Sequence, residues 1–249
     1  VAPSDEQLQR LKPLLAAHQA ELTSQKECLD AAGLLETFEP LLKLVRELQG
    51  ICARRVDLTD EVLEPLFPGI YETGGMQKLP EDLRRLKEQV RELHVQSTQL
   101  QELPEWIGEF GRLETLDLRG YDVFSGLQNE EMTQLPESIG NLECLKSLHL
   151  SGFAQMGVLP ASMGRLTALE SLHLENCCLT ELPACLGQLT SLRTLHLARL
   201  PLQTTLPSTF GALSGLQELT IDNCDTFEEL PPSIGQLTSL RMLHLSYLL

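Results

Sequence analysis

The chain has 249 residues, of which 42% are apolar and 22% charged, and its formal net charge is −16 at pH 7. A protein this acidic is a poor partner for nucleic acid or for an anionic membrane surface, because both require a basic patch. No apolar run approaches the ~18 residues that span a membrane, and no secretory signal opens the chain, so we expect a folded protein that is cytoplasmic or has its targeting segment outside this sequence.

The cysteines indicate a reducing compartment. Their number is odd, and they are scattered through the chain instead of being paired at the ends of its regular region. We therefore expect free thiols. The seven residues are Cys28, Cys52, Cys144, Cys177, Cys178, Cys185 and Cys224.

Residues 1–78 lack the repeated pattern of the rest of the chain and have the features of helices. A capping box runs from Ser4 to Gln7 and precedes apolar residues at helical spacing, and a second helix start appears at Ser24. We favour a helical cap that covers the apolar end of a repeat array. The alternative is a separate docking or regulatory module.

From residue 79 onward, Leu-Pro pairs recur at regular intervals, with prolines 24, 32, 24, 23, 24 and 24 residues apart. Such a period is typical of a solenoid, in which each unit stacks on its neighbours to bury its apolar face. We assign residues 79–249 to a solenoid of about seven repeats and expect its C-terminal cap to lie outside this sequence. The prolines are Pro80, Pro104, Pro136, Pro160, Pro183, Pro207 and Pro231.

A Leu-x-x-Leu-x-Leu segment precedes most of these prolines in constant phase, as in Leu145, Leu148 and Leu150. In a strand, successive side chains alternate faces, so the last two leucines point into the core and the residues around them point outward. The predicted fold class is therefore α/β: a curved solenoid with one parallel strand per repeat, whose strands line the concave face.

The segment after each Leu-Pro pair has the form x-x-apolar-Gly and predicts a short helical turn on the convex side. Proline suits the first helical position, and glycine suits the left-handed conformation that ends a helix. The apolar residue before each glycine should be buried. The glycines are Gly108, Gly140, Gly164, Gly187, Gly211 and Gly235, and the apolar residues are Ile107, Ile139, Met163, Leu186, Phe210 and Ile234.

The interval between Pro104 and Pro136 exceeds the usual period by eight residues, which we place between Tyr121 and Met132. Insertions in solenoids map to loops. This loop is either a recognition element or inert.

Histidine recurs at one position of the strands, between the last two leucines. In a parallel sheet these side chains should form a row on the concave face. Repeat duplication explains the pattern most simply; a partner-binding or pH-sensitive surface and a metal site are the alternatives. The position holds His94, Asp117, His149, His173, His196, Thr220 and His244.

These residues and their neighbours make a mixed polar surface suited to protein recognition. The predicted partner-binding residues are His94, Asp117, Arg119, His149, His173, Glu175, His196, Arg199, Glu218, Asp222 and His244. The sequence lacks a phosphate loop, a nucleophile elbow and a paired-cysteine zinc motif, so we predict no catalytic residues, no metal and no cofactor.

The repeats of residues 79–249 resemble intracellular plant-type and Ras-group leucine-rich repeats, especially those of type III effectors of plant-pathogenic bacteria and of plant immune receptors. The resemblance implies a noncatalytic domain that binds a protein partner. It also implies secretion into a host cytoplasm and recognition of host targets, with substrate selection for a ubiquitin ligase domain outside these residues. The alternatives are the sensor region of a plant immune receptor and a metal-binding enzyme on the histidine row.

This family usually has an asparagine after each strand, which bonds the backbone of the following turn. No asparagine stands at the corresponding spacing here, and irregular loops are therefore expected. The position holds Thr98, Tyr121, Phe153, Cys177, Leu200, Cys224 and Leu248.

Overall fold

The computed structural model describes residues 54–58, 77–79, 81–121, 126–202, 206–224 and 229–246. The helices predicted for residues 1–53 and 59–76 lie outside these ranges. Both interpretations of the N-terminal segment therefore stay predictions.

Within the described ranges, eight parallel strands form one sheet, and their order in the sheet is their order in the chain. Short 3-10 helices alternate with the strands, which confirms the predicted α/β solenoid with one parallel strand per repeat. The strands are β1 (Arg55–Leu58), β2 (Glu92–Gln96), β3 (Thr115–Arg119), β4 (Ser147–Ser151), β5 (Ser171–Glu175), β6 (Thr194–Ala198), β7 (Glu218–Asp222) and β8 (Met242–Ser246).

Strand β1 extends the sheet into the segment for which only helices are predicted, and the prediction needs correction at these residues. Val56 and Leu58 are buried and pair in register with Leu93 and Val95 of β2. The sequence signal is weak because Ala53 stands where later units have an apolar residue as large as valine or leucine, and no Leu-Pro pair precedes it at repeat spacing.

Each return segment contains the predicted helical turn, but its proline lies one position earlier than expected. Pro104 has φ −70° and ψ 151°, an extended conformation, and its carbonyl accepts the first hydrogen bond of the helix from Ile107 N at 2.9 Å. The 3-10 helices are Glu81–Leu86, Glu105–Glu109, Glu137–Asn141, Ala161–Arg165, Ala184–Gln188, Ser208–Ala212 and Pro232–Gln236.

The glycines of these helices do not adopt the predicted left-handed conformation; among the described glycines only Gly126 and Gly152 have positive φ. Close stacking of the repeats requires the helix glycines, except Gly235 in the last described helix. A Cβ on Gly140 would lie closer than 3.0 Å to the backbone oxygen and the Cβ of Ser162 in the next repeat. Gly108 and Gly187 meet the next repeat in the same way.

The core is a continuous column of leucines between the sheet and the 3-10 helices. Leu116 and Leu118 of β3 are fully buried, as are their equivalents through β7. The apolar residues before the glycines are buried as predicted, except Ile234, which is only partly buried. In β8, Leu243 and Leu245 are 44% and 41% exposed, because β8 is the last strand of the described sheet.

In the long repeat, Tyr121 and Gln128 form an antiparallel bridge. The next residue, Asn129, pairs with Phe153 of the following repeat and is fully buried. The eight-residue insertion therefore lies before Asn129, and Asn129, not Tyr121, occupies the asparagine position of this repeat.

Asn129 performs the function expected of that asparagine. Its Nδ2 donates to the carbonyl oxygens of Ser97 at 3.1 Å and Leu100 at 2.9 Å. Its Oδ1 accepts from the backbone amides of Glu131 at 3.0 Å and Met132 at 2.8 Å. One side chain thus satisfies four backbone groups in two neighbouring repeats.

Candidate interaction surface

The first, third and fifth side chains of strands β2–β8 lie on the side of the sheet away from the leucine core, and we call this side the open face. It corresponds to the predicted concave face. The third residues of β2–β8 form what we call the histidine row. Each pairs in register with the next, as His149 does with His173 and His173 with His196. The structure therefore brings the predicted row together without a register shift.

Three imidazoles lie side by side at the centre of this row, with their planes tilted against one another. The ring centroids of His149 and His173 are 5.7 Å apart, and those of His173 and His196 are 5.5 Å apart. The Nε2 of His173 lies 2.8 Å from Ser171 Oγ in the same strand. Burial of the ring and the two neighbouring histidines lower the pKa of His173 below its usual value.

Asp117 interrupts the histidines between β2 and β4 and is almost fully buried, with 6% of its surface exposed. Arg119 donates to both of its oxygens, from Nε at 3.2 Å and from Nη2 at 2.9 Å. The Nδ1 atoms of His94 and His149 each lie 3.3 Å from one carboxylate oxygen. Burial raises the pKa of Asp117, but these hydrogen bonds from His149, His94 and Arg119 outweigh it, so the pKa lies far below its usual range.

The remaining predicted residues lie towards the C-terminal strands. Arg199 is not in a strand; it follows β6 and its Nη1 donates to Glu175 Oε1 at 3.1 Å. Arg199 also has φ 52°, a left-handed conformation that Asn176 and Asn223 adopt at the equivalent positions. Glu218 is exposed, and Asp222 accepts a hydrogen bond from Ser246.

Cysteine occupies the asparagine position in two repeats, but its thiol lies against a carbonyl of the preceding strand and not against the turn groups that Asn129 binds. Cys177 Sγ lies 3.3 Å from the Glu175 carbonyl oxygen, and Cys224 Sγ lies 3.5 Å from the Asp222 carbonyl oxygen. Burial raises the pKa of Cys177 to about 11. All five cysteines in the described ranges are free, as predicted for the chain as a whole.

An ion-pair ladder runs along the residues that directly precede the strands, and the sequence analysis does not identify it. Arg91 contacts Glu114 at 2.7 Å, Glu114 contacts Lys146 at 2.7 Å, and Glu170 contacts Arg193 at 3.7 Å. The signal was available, since charges of alternating sign recur at this repeat position. Because this position directly precedes each strand, the ladder crosses the sheet along the N-terminal ends of its strands.

Among the residues that the structure describes, no group of three or more histidine, cysteine or acidic side chains is arranged to bind a metal ion. Within the same ranges, no helix has both the length and the apolar character needed to cross a lipid bilayer.

Comparison with known proteins agrees with this geometry. Residues 123–205 match a family model described as a leucine-rich repeat region. No curated protein matches the chain.

Among solved structures, a leucine-rich repeat protein of Leptospira interrogans is similar to this chain with a TM-score of 0.54 and 25% identity. The match covers 82% of this chain and 58% of that protein, so the chain spans little more than half of it. The leucine-rich repeat domain of the type III effector XopL matches with a TM-score of 0.61 and 19% identity, over 91% of this chain and 79% of that domain.

A plant protein also appears among the similar structures. It is the leucine-rich repeat ectodomain of the membrane receptor kinase GASSHO1/SCHENGEN3 from Arabidopsis thaliana, solved in complex with Casparian strip integrity factor 2. The TM-score is 0.52 at 22% identity, with 69% of this chain and 22% of that one covered. These findings confirm the predicted resemblance: the described chain folds as a leucine-rich repeat solenoid, and residues 123–205 carry the leucine-rich repeat sequence pattern.

Proposed function

We propose that this protein is a noncatalytic interaction module that binds a protein partner on its open face. The observation that carries the proposal is the continuity of the histidine row, which crosses β2–β8 in constant register. Leucine-rich repeat folds serve as protein-interaction domains, and the backbone groups of the inner strands are already paired. Recognition therefore depends on the side chains of the open face.

The composition of the open face suits a polar protein interface. The hydroxyl groups of Ser147, Ser171 and Thr194 form a line beside the imidazoles of the same strands, and charged residues lie on the first and fifth positions of other strands. Such a mixture of donors and acceptors is typical of non-obligate interfaces. The net charge of −16 supports a partner surface that is neutral or basic, and it argues against nucleic acid and anionic membranes.

The similarity to the repeat domain of the effector XopL supports a finer proposal, namely recognition of a host target by a bacterial effector that acts in the host cytoplasm. In that case the open face selects the protein that a ubiquitin ligase domain modifies. The similarity to a plant receptor ectodomain supports the alternative, a ligand-sensing repeat region. The metal-binding enzyme has no comparable support, because the row of imidazoles is linear and the described residues contain no group of three or more ligands arranged around one metal ion.

The proposal is tested by affinity capture from plant and animal cell extracts. The bait is the full chain, compared with a triple variant in which His149, His173 and His196 are replaced by alanine. A matched control replaces Glu143 and Arg112 by alanine, since both are exposed and lie outside the strands. All three proteins are first compared by circular dichroism and thermal unfolding.

We expect a partner that the wild type and the control capture and the triple variant does not. Capture of the same proteins by all three baits would place recognition outside the histidine row. Loss in both variants would indicate a general effect on folding or solubility.

A further inference from the structure

Asp117 is an exception within the histidine row. The other third residues of β2–β8 are histidine or threonine, whereas Asp117 places a carboxylate in a site that is 6% exposed. Burying a charge destabilises a protein unless the charge is fully paired. Since five of the other six strands of β2–β8 have histidine at this position, the fold itself does not require an acid there.

The contacts of Asp117 divide its two oxygens between two imidazoles. Oδ2 lies 3.3 Å from His94 Nδ1, and Oδ1 lies 3.3 Å from His149 Nδ1. Arg119 binds both oxygens from the same strand. The carboxylate thus lies between β2 and β4 and orients one ring on each.

The proton positions follow from the chemistry of the carboxylate. An ionised carboxylate only accepts hydrogen bonds, so a ring nitrogen that binds it must carry a proton. These contacts favour a proton on Nδ1 of both rings, and a neutral ring of this kind has a hydrogen-bond acceptor at Nε2. Nε2 of His94 is buried, has no hydrogen-bond partner among the described residues and lies 3.8 Å from Glu92 Oε2, whereas His149 lies on the open face beside His173.

We infer that Asp117 is a positioning residue that holds His149 in the Nδ1–H tautomer, so that the open face presents a hydrogen-bond acceptor to a partner segment carrying N–H or O–H donors. The inference rests on the proposed function, since it concerns the same face. It goes further because it names one buried side chain, Asp117, as the residue that decides whether His149 offers a partner a hydrogen-bond acceptor or a donor.

The charges around the row favour a donor-bearing segment over a carboxylate-bearing one. Glu175, Glu218 and Asp222 lie on the C-terminal half of the open face, where Arg199 is paired with Glu175. A partner carboxylate would meet both these acids and the lone pair of His149 Nε2. A backbone amide, a hydroxyl or a cationic side chain meets neither difficulty.

The first experiment needs no partner. The full chain is labelled with 15N-histidine, and long-range 1H–15N spectra at about pH 8 report the tautomer of each neutral ring. Single histidine-to-glutamine variants assign the signals. We expect His94 and His149 as Nδ1–H tautomers in the wild type.

Asp117→Asn changes the donor count, because an amide offers one oxygen and one NH2 group. Only one of the two histidines can then keep its Nδ1–H bond to an oxygen, so at least one ring should change to the Nε2–H tautomer. Asp117→His is the second variant: it places the usual residue of the row at this position and is expected to fold. As a matched control, Asp222→Asn changes an acid of the same face that contacts Ser246 and should leave both tautomers unchanged.

The second experiment measures binding with a defined probe, a library of random peptide segments selected on the wild-type chain. We expect enriched peptides to be rich in donors and to bind Asp117→Asn and Asp117→His about tenfold more weakly, as for the loss of one hydrogen bond. Equal affinity in these variants, once their tautomers have changed, would overturn the inference. So would a wild type whose His149 is an Nε2–H tautomer, or a library that yields no binder.

The result is distinguishable from failure of the proposed function. If the alanine triple variant loses a captured partner while the Asp117 variants keep it, the open face is the interaction surface. In that case Asp117 does not control whether His149 acts as a hydrogen-bond acceptor or donor towards the partner. If the triple variant also keeps every partner, the proposed function itself is wrong.

Discussion

At the scale of single residues, the histidine row shows how neighbours change the properties of a side chain. His173 lies between His149 and His196, and Asp117 and Glu175 are the acids that act on it from nearby. Burial and the two histidines dominate, so protonation of His173 is less favourable in the folded chain than in the unfolded one.

This difference in His173 protonation between the folded and the unfolded chain predicts a pH dependence of stability. Because the pKa of His173 is lowered on folding, the unfolded chain binds more protons as the pH falls through the unfolded value of about 6.5, and stability decreases. Below the folded pKa both states are protonated and the loss is complete. We expect His173→Gln to flatten the dependence of the unfolding free energy on pH between about 7.5 and 5.

Denaturant unfolding at a series of pH values checks this prediction. The control is Thr220→Val, a change at the same position of β7 that removes no titrating group. Identical slopes for the wild type and His173→Gln would contradict the assigned cause.

Asn129 gives a second prediction at this scale. Replacing it by alanine leaves two buried carbonyls and two amides without their partner, so we expect a loss of about 3 kcal/mol in the free energy of unfolding. The exposed neighbour Gln128, changed to alanine, should alter stability by less than about 0.5 kcal/mol. A similar small effect of both variants on the free energy of unfolding would show that the hydrogen bonds of Asn129 do not stabilise this repeat.

At the scale of elements, the 3-10 helices are packed closely enough that a single methyl group matters. The glycine of one helix faces the backbone of the next, as Gly140 faces Ser162. Gly235 occupies the same position in the last described helix and has no atom within 4 Å of an added Cβ. The two glycines thus form a natural pair for comparison.

We expect Gly140→Ala to destabilise the chain by about 1–3 kcal/mol, because the added carbon overlaps the next repeat. Gly235→Ala should be neutral or should stabilise by about 0.5 kcal/mol, since it only restricts the unfolded chain. Thermal and denaturant unfolding of the two variants measure the difference. Equal effects would mean that these glycines are retained for backbone conformation and not for stacking.

At the scale of the whole molecule, each repeat contacts mainly its neighbours, so stability is a sum of units and interfaces. The ion-pair ladder contributes to these interfaces. Glu114 bridges Arg91 in the preceding repeat and Lys146 in the following one, and its hydrogen bonds to Lys146 and Arg91 lower its pKa.

Reversing this charge tests the ladder. Glu114→Lys should destabilise the chain by roughly 1 kcal/mol at low salt, because it places three cations in succession, and the effect should shrink in high salt. Glu143→Lys changes an exposed acid outside the ladder and should have little effect. Unfolding measured at low and high salt distinguishes the two, and a salt-independent loss would indicate altered packing instead of charge.

Much of this fold could be predicted from the sequence, because leucine and proline recur with one period and each recurrence has a direct structural meaning. The open-face positions of the histidines followed from strand alternation alone. The weak first strand did not, since Val56 and Leu58 are too few to define a period. The insertion was located correctly, but a shift in spacing hid Asn129 as the turn residue of that repeat.

The sequence by itself determined the architecture of the described chain, one parallel strand and one helical turn per repeat, because a periodic apolar pattern admits few ways to bury itself. Only the tertiary structure decided how the repeats interact. It showed that glycines serve stacking, that charges before the strands form a ladder, and that Asp117 pairs with His94 and His149. These are contacts between residues at least 22 positions apart, and their distances depend on how neighbouring repeats pack, which no single repeat encodes.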